Sequence, residues 1–88
     1  MKTGLRLVRV DWKDALSVSQ KGWKDKAEVL NLEPIDVVSV GFVLKETKDK
    51  ITLAASITAD NAVDGDICIP KSWISKIQEL KHREQGSN

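Results

Sequence analysis

Cysteine, histidine and tyrosine are almost missing from this chain: one Cys, one His and no Tyr among 88 residues. The lone Cys68 excludes an internal disulfide, and a single His82 excludes the Cys/His set of a structural zinc site. No glycine-rich phosphate loop occurs. No apolar run approaches the roughly 20 residues of a membrane span. Lys2, Arg6, Arg9, Asp11, Lys13 and Asp14 break up the start of the chain, so no apolar signal core is read there. With one thiol and no such core, the sequence reads as a cytoplasmic protein without membrane contact.

The same scarcity weakens any catalytic reading. Cys68 lies in the apolar run Ile67-Cys68-Ile69, where burial raises a thiol's pKa, so it is expected to be a core residue rather than a nucleophile. His82 stands between Lys81 and Arg83 and reads as a solvated side chain. Asp60, Asp64 and Asp66 form an acidic turn without the spacing of an EF-hand loop, and read as solvated rather than as calcium ligands. The expectation is a protein that is not an enzyme and carries neither metal nor cofactor.

What is present is a single small domain, expected over residues 1–82 with a polar tail at 83–88. A domain of this size hides only about 60% of the surface its unfolded chain exposes, so association with further copies is an attractive source of stability. Charge is unevenly placed. Residues 1–26 hold seven Lys/Arg against three acids, and residues 27–66 hold three against eight. Such a molecule meets a polyanion on one side only.

Alternation of apolar and polar residues predicts several short strands. Leu5 to Trp12 reads as a strand with a phase slip at Leu7-Val8, the mark of a bulge. Trp23 to Leu32 carries a short helix, ended before Pro34. Val38, Val40, Phe42 and Leu44 alternate along a long strand, with Gly41 in its middle as a point of bending or close backbone approach. A charged turn over Glu46 to Lys50 leads to the returning strand Ile51, Leu53, Ala55, Ile57. On this reading Val40, Phe42, Leu44, Ile51, Leu53 and Ile57 share the interior. The final segment is ambiguous: Ile74, Ile77 and Leu80 recur at helical spacing, while Trp73, Ser75 and Ile77 would share one face of a strand. Periodicity alone leans to helix.

Three Trp with one Phe is an unusual aromatic choice. Trp12 and Trp23 flank the basic polar stretch from Lys13 to Lys21, and Trp73 follows Lys71, an arrangement that can stack bases and hold phosphates. The competing reading, that all three pack into a small core or a subunit interface, is preferred. Lys21, Lys24 and Lys26 likewise read as a solvated helix face before they read as a nucleic-acid patch.

Two stretches resemble the motifs of the Sm and Sm-like (LSm) family. Over Val37 to Leu53, Gly41 takes the place of the bend glycine, Asp49 that of the turn Asp, and Ile51, Thr52 and Leu53 those of the apolar, small polar and Leu positions. Over Ile67 to Ile77, Pro70-Lys71 stands where the family has Arg-Gly. Thr52 replaces the Asn of RNA-binding members, Gly41 lies about two residues farther from Asp49 than is usual, and residues 13–34 read as an insertion after the first strand. Trp12, Gly22-Trp23, Ser39 to Phe42 and Ile69 to Lys71 are similar to small Sm-like proteins of bacteriophages.

The resemblance implies a mainly β, SH3-type small barrel of five bent antiparallel strands with a short helix. It makes Trp73 to Leu80 the fifth strand, against the helical reading. It implies a homo-oligomeric ring of about five to seven copies, closed by Ile67, Cys68 and Ile69 of one copy against Ile74 and Ile77 of the next. RNA binding at the pore would then fall to Lys48, Asp49, Lys50, Thr52, Lys71 and Ser72. The competing class is a structural or protein-interaction ring, for example a phage factor acting on a host protein in the host cytoplasm. An oligomeric pocket for a small nucleotide is a third option.

Overall fold

The computed structural model describes residues 2–15 and 22–81. His82, the tail at 83–88, and Ser17 to Lys21 of the polar stretch lie outside the described residues. Five antiparallel strands form one sheet: β1 (Leu7–Asp14), β2 (Ile35–Glu46), β3 (Lys50–Ile57), β4 (Val63–Pro70) and β5 (Ile74–Leu80). A five-residue helix, α1 (Lys26–Leu30), stands between β1 and β2, and a single 3-10 turn at Lys71–Trp73 links β4 to β5. The strand order is β4-β3-β2-β1-β5. The fold is therefore mainly β with little helix. The sheet does not close: β4 and β5 are its two edges, joined through the 3-10 turn and not through a ladder. Of the small five-stranded barrel that the resemblance implies, the five antiparallel strands are observed, in a sheet that is not closed.

One curled face buries the core. Val8, Val10 and Trp12 of β1 meet Val43 of β2, Ile51 and Leu53 of β3, and Ile69 of the far edge strand, so the sheet bends round to bring its remote strands into one cluster. Val37, Ile67, Ile74 and Ile77 pack around it, half-buried. The phase slip read at Leu7-Val8 is simply where β1 begins, with Val8, Val10 and Trp12 inward from there.

The strand β2 turns the opposite face inward from the one expected. Gly41 and Val43 are buried, while Val40 is 52% and Leu44 38% exposed, with Val38 beside them on the outer side; Phe42 is half-buried. Two contacts decide this. The Trp12 indole N–H donates to Ser39 Oγ at 3.0 Å, which brings Ser39 to the core side. At Gly41 a Cβ would lie 2.9 Å from the Ala54 carbonyl oxygen, so β3 crosses where only glycine leaves room. Beyond Val43 the register with β3 shifts, leaving Leu44 as an extra residue on β2.

Cys68 is exposed, which overturns the core assignment made for it. The run Ile67-Cys68-Ile69 belongs to an edge strand with one buried face, so Ile69 enters the core and Cys68 points out. The helical spacing of Ile74 and Ile77 also has a β explanation. Trp12 pairs with Ile74 but Asp11 pairs with Lys76, so Ser75 is an extra residue, and Ile74 and Ile77 fall on the same side despite being three apart. The Ser75 hydroxyl donates to the Asp11 carbonyl at 3.1 Å and secures the bulge. The strand implied by the family resemblance is thus the one observed.

Candidate nucleic-acid interface at two converging turns

The turn after β2 is tight because Thr47 organises it. Its Oγ1 accepts from the amides of Asp49 and Lys50, both at 3.2 Å, and its own amide donates to the Lys50 carbonyl at 2.9 Å. Lys48 and Asp49 therefore stand at the tip, exposed, with Lys50 beginning β3. The second turn reaches the first through the backbone: the Lys71 amide donates to the Asp49 carbonyl at 2.8 Å, and Pro70 pairs with Lys50. The chain thus brings Lys48, Asp49, Lys50 and Lys71 to one end of the sheet.

Two of the expected residues are not part of that group. Thr52 lies farther along β3, half-buried and opposite Cys68. Ser72 faces a cavity next to Trp73. Of the expected interface residues, Ile69 places its side chain in the core of its own subunit, while Ile67, Ile74 and Ile77 are half-buried and Cys68 is exposed.

Charges not singled out from the sequence surround the converging turns. The Lys71 ammonium donates to Glu46 Oε2, and Glu46 Oε1 accepts from Arg6, whose Nε donates to Glu79 at 3.0 Å. Signs alternate along Glu79–Arg6–Glu46–Lys71, and Lys71 reaches solvent already paired. The Arg6 guanidinium, with Lys71 adding to it, holds the Glu46 carboxyl below the usual carboxylate range. Arg6 does the same to Glu79, and hydrogen bonds to Glu79 and then Glu46 raise Arg6 itself. No local sequence signal marks this series, because its members lie in the segment before β1, at the end of β2, in the 3-10 turn and in β5.

A depressed carboxylate pKa stabilises the fold above the unfolded value and loses that contribution as pH falls through the folded one. Glu46→Gln is accordingly expected to lower the melting temperature at neutral pH. The gap to the parent should shrink as the pH drops below about 4. The pairs are largely solvent-exposed, so the gap is small and also narrows in high salt. Thermal melts from pH 7 to roughly pH 3 at two salt concentrations check this; a gap independent of pH removes the charge explanation.

At the opposite end of β1 lies an open cavity of about 450 Å³, lined mainly by apolar atoms of Ala15, Pro34, Trp73 and Ile74, with Lys13, Ser72 and Ser75 among its polar neighbours. Trp73 stacks on buried Trp12, centroids 6.4 Å apart and planes 16° from parallel, and is itself 42% exposed. Of the three tryptophans expected to pack, Trp12 is in the core, Trp73 covers it, and Trp23 is fully exposed. Among the described residues no group of His, Cys, Asp and Glu is placed to hold a metal ion, and no helix is long and apolar enough to cross a membrane.

An open five-stranded β sheet with charged turns gathered at one end is as far as fold and site define the class of this protein. No family model, no curated protein and no solved structure matches the chain.

Proposed function

We propose that this chain is a non-enzymatic, Sm-like subunit of a homo-oligomeric ring of about five to seven copies, whose converging turns give weak, electrostatic contact to single-stranded RNA. The observation that carries the reading is the pair of open edges. The strands β4 and β5 are of similar length, eight and seven residues, and among the described residues each has one side without a ladder partner. Pairing β4 of one copy with β5 of the next satisfies both edges through one heterologous contact, and a rotation that closes gives a ring. The lysines of each copy would then recur around the assembly and multiply a modest contact by avidity.

Contact of this kind is loose. A lysine offers a point charge without arginine's planar fork, and Lys71 is already held by Glu46. Lys48 and Lys50 are the better cations to test. Light scattering coupled to size exclusion is expected to give the mass of about five to seven chains; a monomer at micromolar concentration refutes the ring. For the intact assembly, affinity for a short RNA is expected to fall more than about tenfold between roughly 50 and 200 mM salt, with little difference between U-rich and A-rich sequences. Lys48→Glu with Lys50→Glu should remove it. An intact ring that binds no RNA at low salt leaves the second reading, a ring directed at a host protein. The apolar outer stripe of Val38, Val40 and Leu44, exposed on β2, favours that alternative.

A further inference from the structure

Trp73 is more open than its packing role requires. One face of its ring lies on Trp12, centroids 6.4 Å apart and planes 16° from parallel, yet the residue is 42% exposed. A Trp side chain ordinarily buries about 150–250 Å², so a ring left this open forgoes part of that gain. Trp12 beneath it is fixed, buried and with its indole N–H held by Ser39 Oγ at 3.0 Å. The stack therefore presents the outer indole as a firmly held aromatic surface.

The surroundings of that surface are those of a small-ligand pocket. The cavity it lines has about 450 Å³, within the ~300–1,000 Å³ of such sites. Ala15, Pro34 and Ile74 supply apolar walls, and the polar groups are few. The Ser75 hydroxyl is already committed to the Asp11 carbonyl, which leaves the Ser72 hydroxyl for a ligand. Among the described lining residues Lys13 alone is charged, and its ion pair with Asp36 is long, 3.6 Å, and exposed on both sides. A flat ring to stack on, a hydroxyl for a polar edge and one cation at the rim suit a nucleobase with its phosphate.

Position ties this pocket to the converging turns. Lys71, Ser72 and Trp73 make up the 3-10 turn between β4 and β5, and the Lys71 amide donates to the Asp49 carbonyl at 2.8 Å. Two residues of chain span at most about 7 Å, so the aromatic surface begins where the lysine cluster ends.

We infer that the cavity holds one base of a single-stranded RNA, stacked on the open side of Trp73, with Ser72 at the base edge and Lys13 at a phosphate. Neighbouring phosphates of the same strand meet Lys48 and Lys50. This base site rests on the RNA contact proposed above and needs no second copy. Every base has a π face, so stacking agrees with little preference between U-rich and A-rich strands.

Salt separates the two contributions in the full chain. A short U-rich RNA and a matched strand of abasic residues carry the same phosphates, but only the first can stack. The RNA is expected to bind about tenfold tighter than the abasic strand at both roughly 50 and 200 mM salt, because stacking releases no counterions. Trp73→Leu should abolish that ratio, whereas Trp23→Ala, at the fully exposed tryptophan, should preserve it. Because Trp73 also covers Trp12, the unaltered protein supplies a second arm: strands carrying 4-thiouridine should photo-crosslink to Ser72, Trp73 or Ile74. Equal affinity for the two strands overturns the base site and leaves the lysine contact standing. Binding of neither strand at low salt overturns both. Crosslinks confined to residues outside the cavity, a ratio that follows Trp23 instead of Trp73, or free uridine monophosphate binding as tightly as the strand each overturn the base site as well.

Discussion

Leu53→Ala is expected to remove about 2–5 kcal/mol of stability, because the side chain is 1% exposed and faces Val43 across the β2–β3 ladder. A chain of 88 residues has roughly 4–13 kcal/mol in total, so a chain at the low end of that range is unfolded by this one change. The informative companion is Val40→Thr. It keeps a β-branched side chain on the same strand but at an exposed outer position, and should shift stability by less than about 0.5 kcal/mol. Denaturant melts of the two variants read out which face of β2 is inward. Equal losses would mean that β2 is turned the other way, with Val40 in the interior.

At Gly41 the expected effect comes from contact rather than from backbone dihedrals. A Cβ there would sit 2.9 Å from the Ala54 carbonyl oxygen, 3.3 Å from its carbonyl carbon and 3.2 Å from the Leu53 Cβ. Two of these are backbone atoms of the neighbouring strand, close to the Phe42↔Ala54 pair, and cannot rotate aside. Gly41→Ala should therefore cost about 1–3 kcal/mol, as overpacked sites do, and the bulkier Gly41→Val should leave no cooperative transition by circular dichroism. A Gly41→Ala protein as stable as the parent would show that β2 and β3 separate at this point.

Much of the architecture is legible in the sequence. The turn over Glu46 to Lys50 is where the hairpin lies, β3 buries Ile51 and Leu53 as its alternation implied, and a short helix stands between Trp23 and Pro34. Of the two readings of Gly41, a bend or a close backbone approach, the approach of β3 is what the structure shows. The face of β2 was misread for a definite reason. Its outer row, Val38, Val40, Phe42 and Leu44, is more apolar than its inner row, Val37, Ser39, Gly41 and Val43. Counting apolar residues favours the outer row. Burial followed the hydrogen bond from Trp12 to Ser39 and the crossing of β3 at Gly41, neither of which hydrophobicity expresses.

The candidate site was legible only in part. Lys48, Asp49, Lys50 and Lys71 gather as the turns implied, but the pairing of Lys71 with Glu46 and the reach of Arg6 to both Glu46 and Glu79 were invisible. The cavity is similar: Lys13, Pro34 and Trp73 belong to three separate stretches of chain. Nothing in any one stretch marks it as part of a hollow.

Taken by itself, the sequence determined that the chain has no internal disulfide, is built mostly from short strands and turns over Glu46–Lys50; the turn read over Asp60–Asp66 is shorter, because β4 begins at Val63 and takes in Asp64 and Asp66. Alternation and turn chemistry are local properties, carried by residues a few positions apart, and they survive without knowledge of the partner strand. Tertiary structure alone decided the face of β2, the bulge that converts helical spacing at Ile74 and Ile77 into a strand, the exposure of Cys68 and the two open edges of the sheet. Each of these depends on which residue lies opposite across a ladder or on whether a further strand follows. That information arises only when segments distant in sequence, such as Asp11 and Ser75 or Trp12 and Ser39, come into contact.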